Sequence, residues 1–333
     1  MLKKILFILG ITSIFLNAQD SRSIAYFGYS TMSYANSKES ILAGATTATA
    51  KGYNALLTNP AGLSTNECWA IYARTAIVQK KTGESDRVDE DQIILSENAA
   101  SEYIAGGVIF DSFAIETRPS DYIAGGYGFG IESQWGLFSF GMSIYQDQTD
   151  MVIDTEIGPT FDQNNEFAMG DHYNFGFMWQ KTFLSPDDFY GFYFGVSYKT
   201  SGKNETKSEY IISSPKEMGI GIGFSTNFIG TTLMVTSDYK KEEWDSINET
   251  LTGIAVGIKW MIFEGFAIGT GINKQTFDGS STFDTIDTMA FGIELNIWKI
   301  GTNISVMRKD INALDGSTYL EEDSAHVDLY ITF

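Results

Sequence analysis

Two histidines and one cysteine bound the side-chain chemistry open to this chain of 333 residues. A serine-hydrolase site needs a histidine within hydrogen-bond reach of a serine, and a carboxylate to orient the ring. His172 and His326 fall near the ends of predicted strands that lie several strands apart. Asp171 adjoins His172, but neighbouring strand residues point to opposite faces, so the two do not pair simply. Cys68 alone makes no internal disulfide and no cysteine-based zinc cluster, and reads as a small strand residue rather than a nucleophile. Gly125-Gly126-Tyr127-Gly128 mimics a phosphate loop, yet no helix follows to present its N-terminus. The acidic runs Glu84, Asp86, Asp89, Glu90, Asp91 and Glu321, Glu322, Asp323 offer oxygen ligands for calcium, but lack the spacing and glycine of an EF-hand loop. Solvated loop charge is the competing reading, with divalent ions tying the loops to an anionic lipopolysaccharide surface as a further role. The expectation is a non-enzyme with no catalytic residue, no cofactor and no metal site. A formal net charge of -20 leaves no basic patch to displace counterions, which excludes nucleic acid as a partner.

The elements around these residues follow a period of two. Ile254, Val256, Ile258, Trp260 and Ile262 share one face, while Gly253, Ala255, Gly257, Lys259 and Met261 share the other. Tyr190, Phe192, Phe194, Val196 and Tyr198 oppose Gly191, Gly195, Ser197 and Lys199 in the same way, and Met289–Ile297 repeats the pattern. The second face is small and polar, so it cannot fill the core of a sandwich, whose inner faces are bulky and apolar. The large apolar face is therefore expected to meet lipid. Aromatic content of 14%, with 33 glycines beside 5 prolines, suits such a wall, and a mean hydropathy of -0.08 argues against a helical membrane protein. The fold class expected is all-β: a transmembrane β-barrel of about 14 antiparallel strands with a small N-terminal helical plug.

Fourteen strands are read at Cys68–Lys80, Glu102–Phe110, Phe113–Ser120, Tyr122–Ser133, Gly136–Asp147, Asp171–Phe183 and Phe189–Thr200, then at Lys216–Phe228, Thr231–Lys240, Leu251–Ile262, Gly265–Thr276, Thr288–Trp298, Ile300–Asp310 and Ala325–Phe333. Tight turns are expected at Asp111-Ser112, Gln134-Trp135, Ser185–Asp188, Ile229-Gly230, Phe263-Glu264 and Lys299. Long polar loops are expected around Gly83–Asp91, Gln148–Gly170, Gly202–Pro215, Lys241–Thr250, Gln275–Asp287 and Ile311–Ser324. An alternative makes Gln92–Ser96 part of the second strand and lengthens the third. Charged residues on the small face, namely Glu116, Arg118, Glu132, Lys199, Lys259 and Glu294, would pair with the plug or line a route.

Residues 1–18 have the charged start (Lys3, Lys4), apolar run (Ile5–Leu16) and small final residue (Ala18) of a secretory signal peptide. Residues 19–66 are assigned to the plug and 67–333 to the barrel. Within the plug, Ile41–Thr58 reads as an Ala/Thr-rich helix of low intrinsic propensity that packing must hold. It ends at Asn59-Pro60-Ala61-Gly62-Leu63. Asn59 is extended because it precedes proline, and Gly62 lets the chain turn without a Cβ penalty. This stretch reads as a hinge between plug and wall, an ordinary surface turn being the alternative.

The run from Ala43-Gly44-Ala45 to Asn59-Pro60-Ala61-Gly62-Leu63 resembles the FadL/TodX family of outer-membrane channels for long-chain fatty acids and aromatic hydrocarbons, whose hatch ends in an Asn-Pro-Ala motif. The matching residues here are Asn59, Pro60 and Ala61. PorV-like barrels, which act as shuttles in protein secretion, share the architecture and the same stretch. The FadL-type resemblance implies the outer membrane of a Gram-negative cell, a monomer, and passive uptake of a small hydrophobic molecule. The PorV-like resemblance implies a non-transporting secretion or surface-assembly partner. The terminal alternation Val327, Leu329, Ile331, Phe333 resembles the sorting signal read by the barrel-assembly machinery. The FadL family is known for a kink in its third strand that opens the wall sideways. An apolar molecule that leaves into the bilayer keeps its burial, at about 25 cal/mol per Å². The candidate opening is Asp111, Ser112, Glu116, Arg118 and Pro119, because a proline donates nothing to a strand ladder.

Overall fold

The computed structural model describes residues 41–51, 54–65, 70–82, 86–100, 104–115, 118–149, 167–184, 189–201, 215–244, 249–280 and 283–332. Residues 1–40, which include the expected signal peptide, and Cys68, Glu84, Glu116 and Phe333 lie outside them. The strands are β1 (Ala70–Thr82), β2 (Asp86–Ala100), β3 (Ile104–Ile115), β4 (Arg118–Ser133), β5 (Gly136–Thr149), β6 (Phe167–Leu184) and β7 (Phe189–Lys199). They continue as β8 (Lys216–Phe228), β9 (Thr231–Trp244), β10 (Glu249–Phe263), β11 (Phe266–Asp278), β12 (Phe283–Ile297), β13 (Ile300–Ala313) and β14 (Thr318–Thr332). Each pairs antiparallel with its sequence neighbour, and β1 pairs with β14 from Ala70↔Thr332 to Thr82↔Leu320, closing the barrel. Closure leaves no strand edge with unpaired backbone. Among the described residues no helix is long and apolar enough to cross a membrane.

The period-two reading of the second half holds along the middle of the strands and lapses near the tight turns, where Met261, expected on the small face, is exposed. On β10, Ile254, Val256 and Ile258 are exposed on the outer face, while Leu251, Gly253, Ala255 and Gly257 are buried inward. Phe175, Tyr190, Phe192, Phe224, Phe291 and Leu329 continue the exposed apolar belt around the described wall. Tight turns join strands at one end. Ile229 (φ 51°) and Gly230 (φ 74°) both adopt the left-handed region that a two-residue type I′ hairpin requires. Trp298, 90% exposed, occupies a similar turn at φ 57°. An aromatic ring at a belt edge suits a membrane–water interface.

The strands differ from the expected boundaries in two ways. Asp111-Ser112 is not a turn: both residues lie inside β3, paired with Tyr122 and Asp121 of β4. The second strand is Asp86–Ala100, the alternative that counted Gln92–Ser96, and Phe113–Ser120 divides between β3 and β4. Several expected loops are also strand. Asp86–Asp91, Lys241–Trp244, Phe283–Asp287, Ile311–Ala313 and Thr318–Ser324 all belong to the ladder. Ladder hydrogen bonds need only backbone, so strands run on past the belt wherever polar side chains can face water.

The plug departs further. Ile41–Thr58 is no continuous helix: it is a chain of turns in which Ala43 (φ 49°) and Gly44 (φ 83°) reverse the backbone, with Ala45 N donating to Leu42 O at 3.1 Å and Thr49 N to Thr46 O at 2.9 Å. Among the described residues that follow, α1 (Asn54–Leu57) is a single α-helical turn, and Pro60–Thr65 is a 3₁₀ helix. A helix with its side chains is about 10 Å across. A thin turned strap instead lays its backbone directly on the glycines of the wall.

Candidate functional site

Inward glycines make the seat for this strap. A Cβ on Gly141 would collide with the carbonyl of Pro60, one on Gly176 with the side chain of Asn59, one on Gly195 with the carbonyl of Thr47, and one on Gly271 with the carbonyl of Leu42. Gly257, Gly269 and Gly292 likewise leave room for Leu42 and Ile41. Removing side chains from the small face thus lets residues 41–65 touch the wall from β4 round to β12. Apolar contacts complete the fit, with Ile41, Leu42 and Ala45 packed on Ala255 and the half-buried Met234.

Polar bonds then fix the strap in position. The Asn59 side chain is fully buried; its Nδ2 donates to Thr47 O at 2.7 Å and to Phe177 O of β6 at 3.1 Å, and its Oδ1 accepts from Ala61 N at 3.2 Å. One amide therefore ties two turns of the plug to the wall. Ser143 Oγ donates to Leu56 O at 2.6 Å. Asp238 of β9, 1% exposed, accepts from Thr47 N at 2.7 Å. The sequence reading missed Asp238; its signal was a carboxylate on the polar face in mid-strand. Asn59, Pro60, Ala61 and Gly62 do sit together at the plug's end, where Pro60–Leu63 are buried. Gly62 serves a purpose other than the expected one. Its φ is not positive, and it is small because a Cβ would collide with the carbonyl of Ala50 and lie 3.1 Å from Ala55 Cβ.

The remaining candidates fall as follows. Lys199 pairs with Glu217 at 2.6 Å, and Lys259 pairs with Glu294, so these charges bridge wall strands instead of reaching the plug. Glu132 is exposed. His172 and His326 are both buried inward, on β6 and β14: His172 Nδ1 lies 3.4 Å from Thr200 O, just past the end of β7, and His326 Nε2 lies 3.0 Å from Ser324 Oγ. Glu322 is buried inward while Glu321 and Asp323 are half-exposed on the alternate face, so that acidic run does not converge on one ion. No metal-binding cluster of histidine, cysteine and carboxylate occurs among the described residues. Arg118 opens β4 opposite Ile115, and Pro119 follows opposite Ala114. The β3–β4 register runs from Ile104↔Phe129 to that pair without a shift, and Pro119 lies at the strand end remote from the exposed Tyr127, Phe129 and Ile131.

Beyond the plug, at the end opposite the tight turns, the inward face stops being small. Trp244, Leu251, Phe277, Phe283, Ile286 and Ile311 are all buried there, on β9 to β13. Phe277 and Phe283 pack with ring centroids 5.5 Å apart, and Phe283 meets Tyr319 edge-on at 5.0 Å. Register sets Leu251 beside Phe277 and Ile286 beside Ile311. The sequence reading placed most of these residues in polar loops, where they carried no face.

No protein-family model matches the chain, and no curated protein matches it in sequence. Among solved structures it is similar to the CymD monoaromatic hydrocarbon channel, at a TM-score of 0.58 and 12% identity over 89% of this chain and 96% of that one. It is also similar to a Pseudomonas aeruginosa FadL homologue, at a TM-score of 0.52 and 9% identity over 90% and 98%. These likenesses span nearly the whole of each barrel, and at such identities they are likenesses of architecture. The chain has the fold of the FadL-type outer-membrane channels.

Proposed function

We propose that this barrel lies in the outer membrane of a Gram-negative cell and passes small hydrophobic molecules inward without an energy source. The observation that carries the reading is the buried apolar mouth, Trp244, Leu251, Phe277, Phe283, Ile286 and Ile311, set above a plug whose backbone rests on the wall. Apolar side chains facing a lumen give an apolar solute a place to leave water. A seated plug denies an aqueous path to ions and sugars. The two solved relatives by fold are named as a hydrocarbon channel and a FadL homologue, which supports the same class of solute.

A solute that meets the plug leaves sideways into the bilayer on this reading, since burial in lipid retains the free energy that an aqueous exit would lose. The β3–β4 seam at Ala114 and Pro119 is the candidate opening. Pro119 contributes no N–H to the ladder, and its position near the strand end directs the exit to the outer edge of the apolar belt.

The test is uptake of labelled toluene and of a labelled long-chain fatty acid by a deletion strain carrying wild-type or Phe277→Ser/Phe283→Ser protein. Wild type should restore uptake of at least one solute, and the double variant should reduce it about tenfold. That loss corresponds to about 1.4 kcal/mol of binding in the mouth. Unchanged uptake on deletion, together with secreted proteins that co-purify with the barrel, would replace transport with the secretion-partner role.

A further inference from the structure

Below the apolar mouth, one sector of the lumen wall has polar groups that the protein does not satisfy. Asn303 and Ser305 of β13 point inward and are 0% and 1% exposed. Among the described residues, neither Nδ2 nor Oδ1 of Asn303, nor Oγ of Ser305, has a hydrogen-bond partner. Register sets Ser305 directly beside His326 and Asn303 beside Asp328, both also buried and inward on β14. His326 is held by Ser324 at 3.0 Å. Three unmet polar atoms on neighbouring inward positions are unusual, because burying an amide or hydroxyl without a partner costs about 1–3 kcal/mol each. Native proteins keep such groups where a ligand or an ordered water completes them.

The surroundings define what fits. Gly292, the register partner of Ser305, leaves room for Ile41 of the plug, so the polar block lies beside the plug's first described turn. The next inward position on β13 is Met307, which packs with Ala290 and with Ala43 of the plug. An occupant therefore meets apolar groups on its mouth side and hydrogen-bonding groups on its inner side. Register sets Glu322 beside Lys309 on β13. The unmet atoms of Asn303 and Ser305 belong to a neutral amide and a neutral hydroxyl, which together both donate and accept.

We propose that Asn303 and Ser305, backed by His326, form a subsite for the uncharged hydroxyl head of a hydrophobic solute, such as a phenol or a long-chain alcohol. The inference rests on the uptake reading and narrows it: the solute is an oxygenated amphiphile, neither a plain hydrocarbon nor a carboxylate. A site built to hydrogen-bond a hydroxyl rejects the analogue that lacks it, because its own polar groups are then left buried and unpaired.

Tritiated 4-propylphenol, propylbenzene and 4-propylbenzoate are the probes, bound to the full-length barrel in nanodiscs and corrected against empty discs. Wild type should hold 4-propylphenol about tenfold more tightly than either comparator. Asn303→Leu/Ser305→Ala should abolish that preference and leave propylbenzene binding unchanged. Ser305→Ala alone, a deletion of one oxygen that keeps the wall closed, should reduce the preference about threefold, with both variants checked for folding by heat-dependent gel mobility. Equal binding of the phenol and propylbenzene by wild type overturns the subsite, leaving water alone to complete these groups, while propylbenzene binding still supports uptake. Stronger binding of the benzoate overturns the uncharged head. A preference that survives in both variants overturns the placement. Failure of every probe to bind overturns the uptake reading and the subsite with it.

Discussion

Removing the Asp238 carboxylate should release the middle of the plug. In the structure Thr47 N donates to Asp238 Oδ2 at 2.7 Å, and both partners are buried. Asp238→Ala deletes the acceptor and strands the Thr47 N–H without water. A hydrogen bond to a charged group contributes about 1.5–3 kcal/mol, and an orphaned buried donor costs about 1–3 kcal/mol. Taking about 2 kcal/mol as the net effect, the population with residues 41–51 undocked rises roughly 30-fold. The barrel itself should persist, because its ladders do not depend on this bond. Hydrogen exchange read by mass spectrometry over the 41–51 peptide checks this directly, since exchange from locally opened states reports the free energy of opening. Asp238→Ala should exchange about 30-fold faster there, while β10–β13 peptides remain at wild-type rates. Asp238→Asn keeps an acceptor and should fall between the two. If the Asp238→Ala plug is as protected as wild type, the latch is not at Asp238, and the glycine seat alone holds the strap.

Gly195→Val should prevent seating of the plug, since even a Cβ there would collide with the Thr47 carbonyl; planar-bilayer recording should then show ion conductance that wild type lacks. Glu294→Ala strands Lys259 in a mostly buried pair and should cost more stability, by about 3 kcal/mol, than the matched apolar double change Lys259→Met/Glu294→Leu, as read from urea unfolding. A disulfide between Phe113→Cys and Ser120→Cys, which are register partners on β3 and β4, should block uptake when oxidised and restore it when reduced, and equal uptake in both states would exclude an exit at Pro119.

Alternation of side chains along a strand is a local property, so the wall was legible from the residues alone. Ile254, Val256 and Ile258 face out and Gly253, Ala255 and Gly257 face in because successive residues of any strand point to opposite sides. Lys216–Phe228 matched to the residue, since an apolar–glycine alternation ends there at a turn that needs left-handed φ. What lay beyond the belt was not legible: Phe277, Phe283 and Ile311 sit among charged residues and have an inward face only because pairing with neighbouring strands carries the ladder that far. The plug shows the same division. Asn59-Pro60-Ala61-Gly62 marked its end in the sequence, but its alanines and threonines carried a helical pattern that the lumen overrode. Wall glycines far away in sequence, at Gly141, Gly176, Gly195 and Gly271, admit bare backbone and not a helix's width. The bonds from Asp238 to Thr47 and from Asn59 to Phe177 join residues 191 and 118 positions apart, and only closure of the barrel brings them within reach.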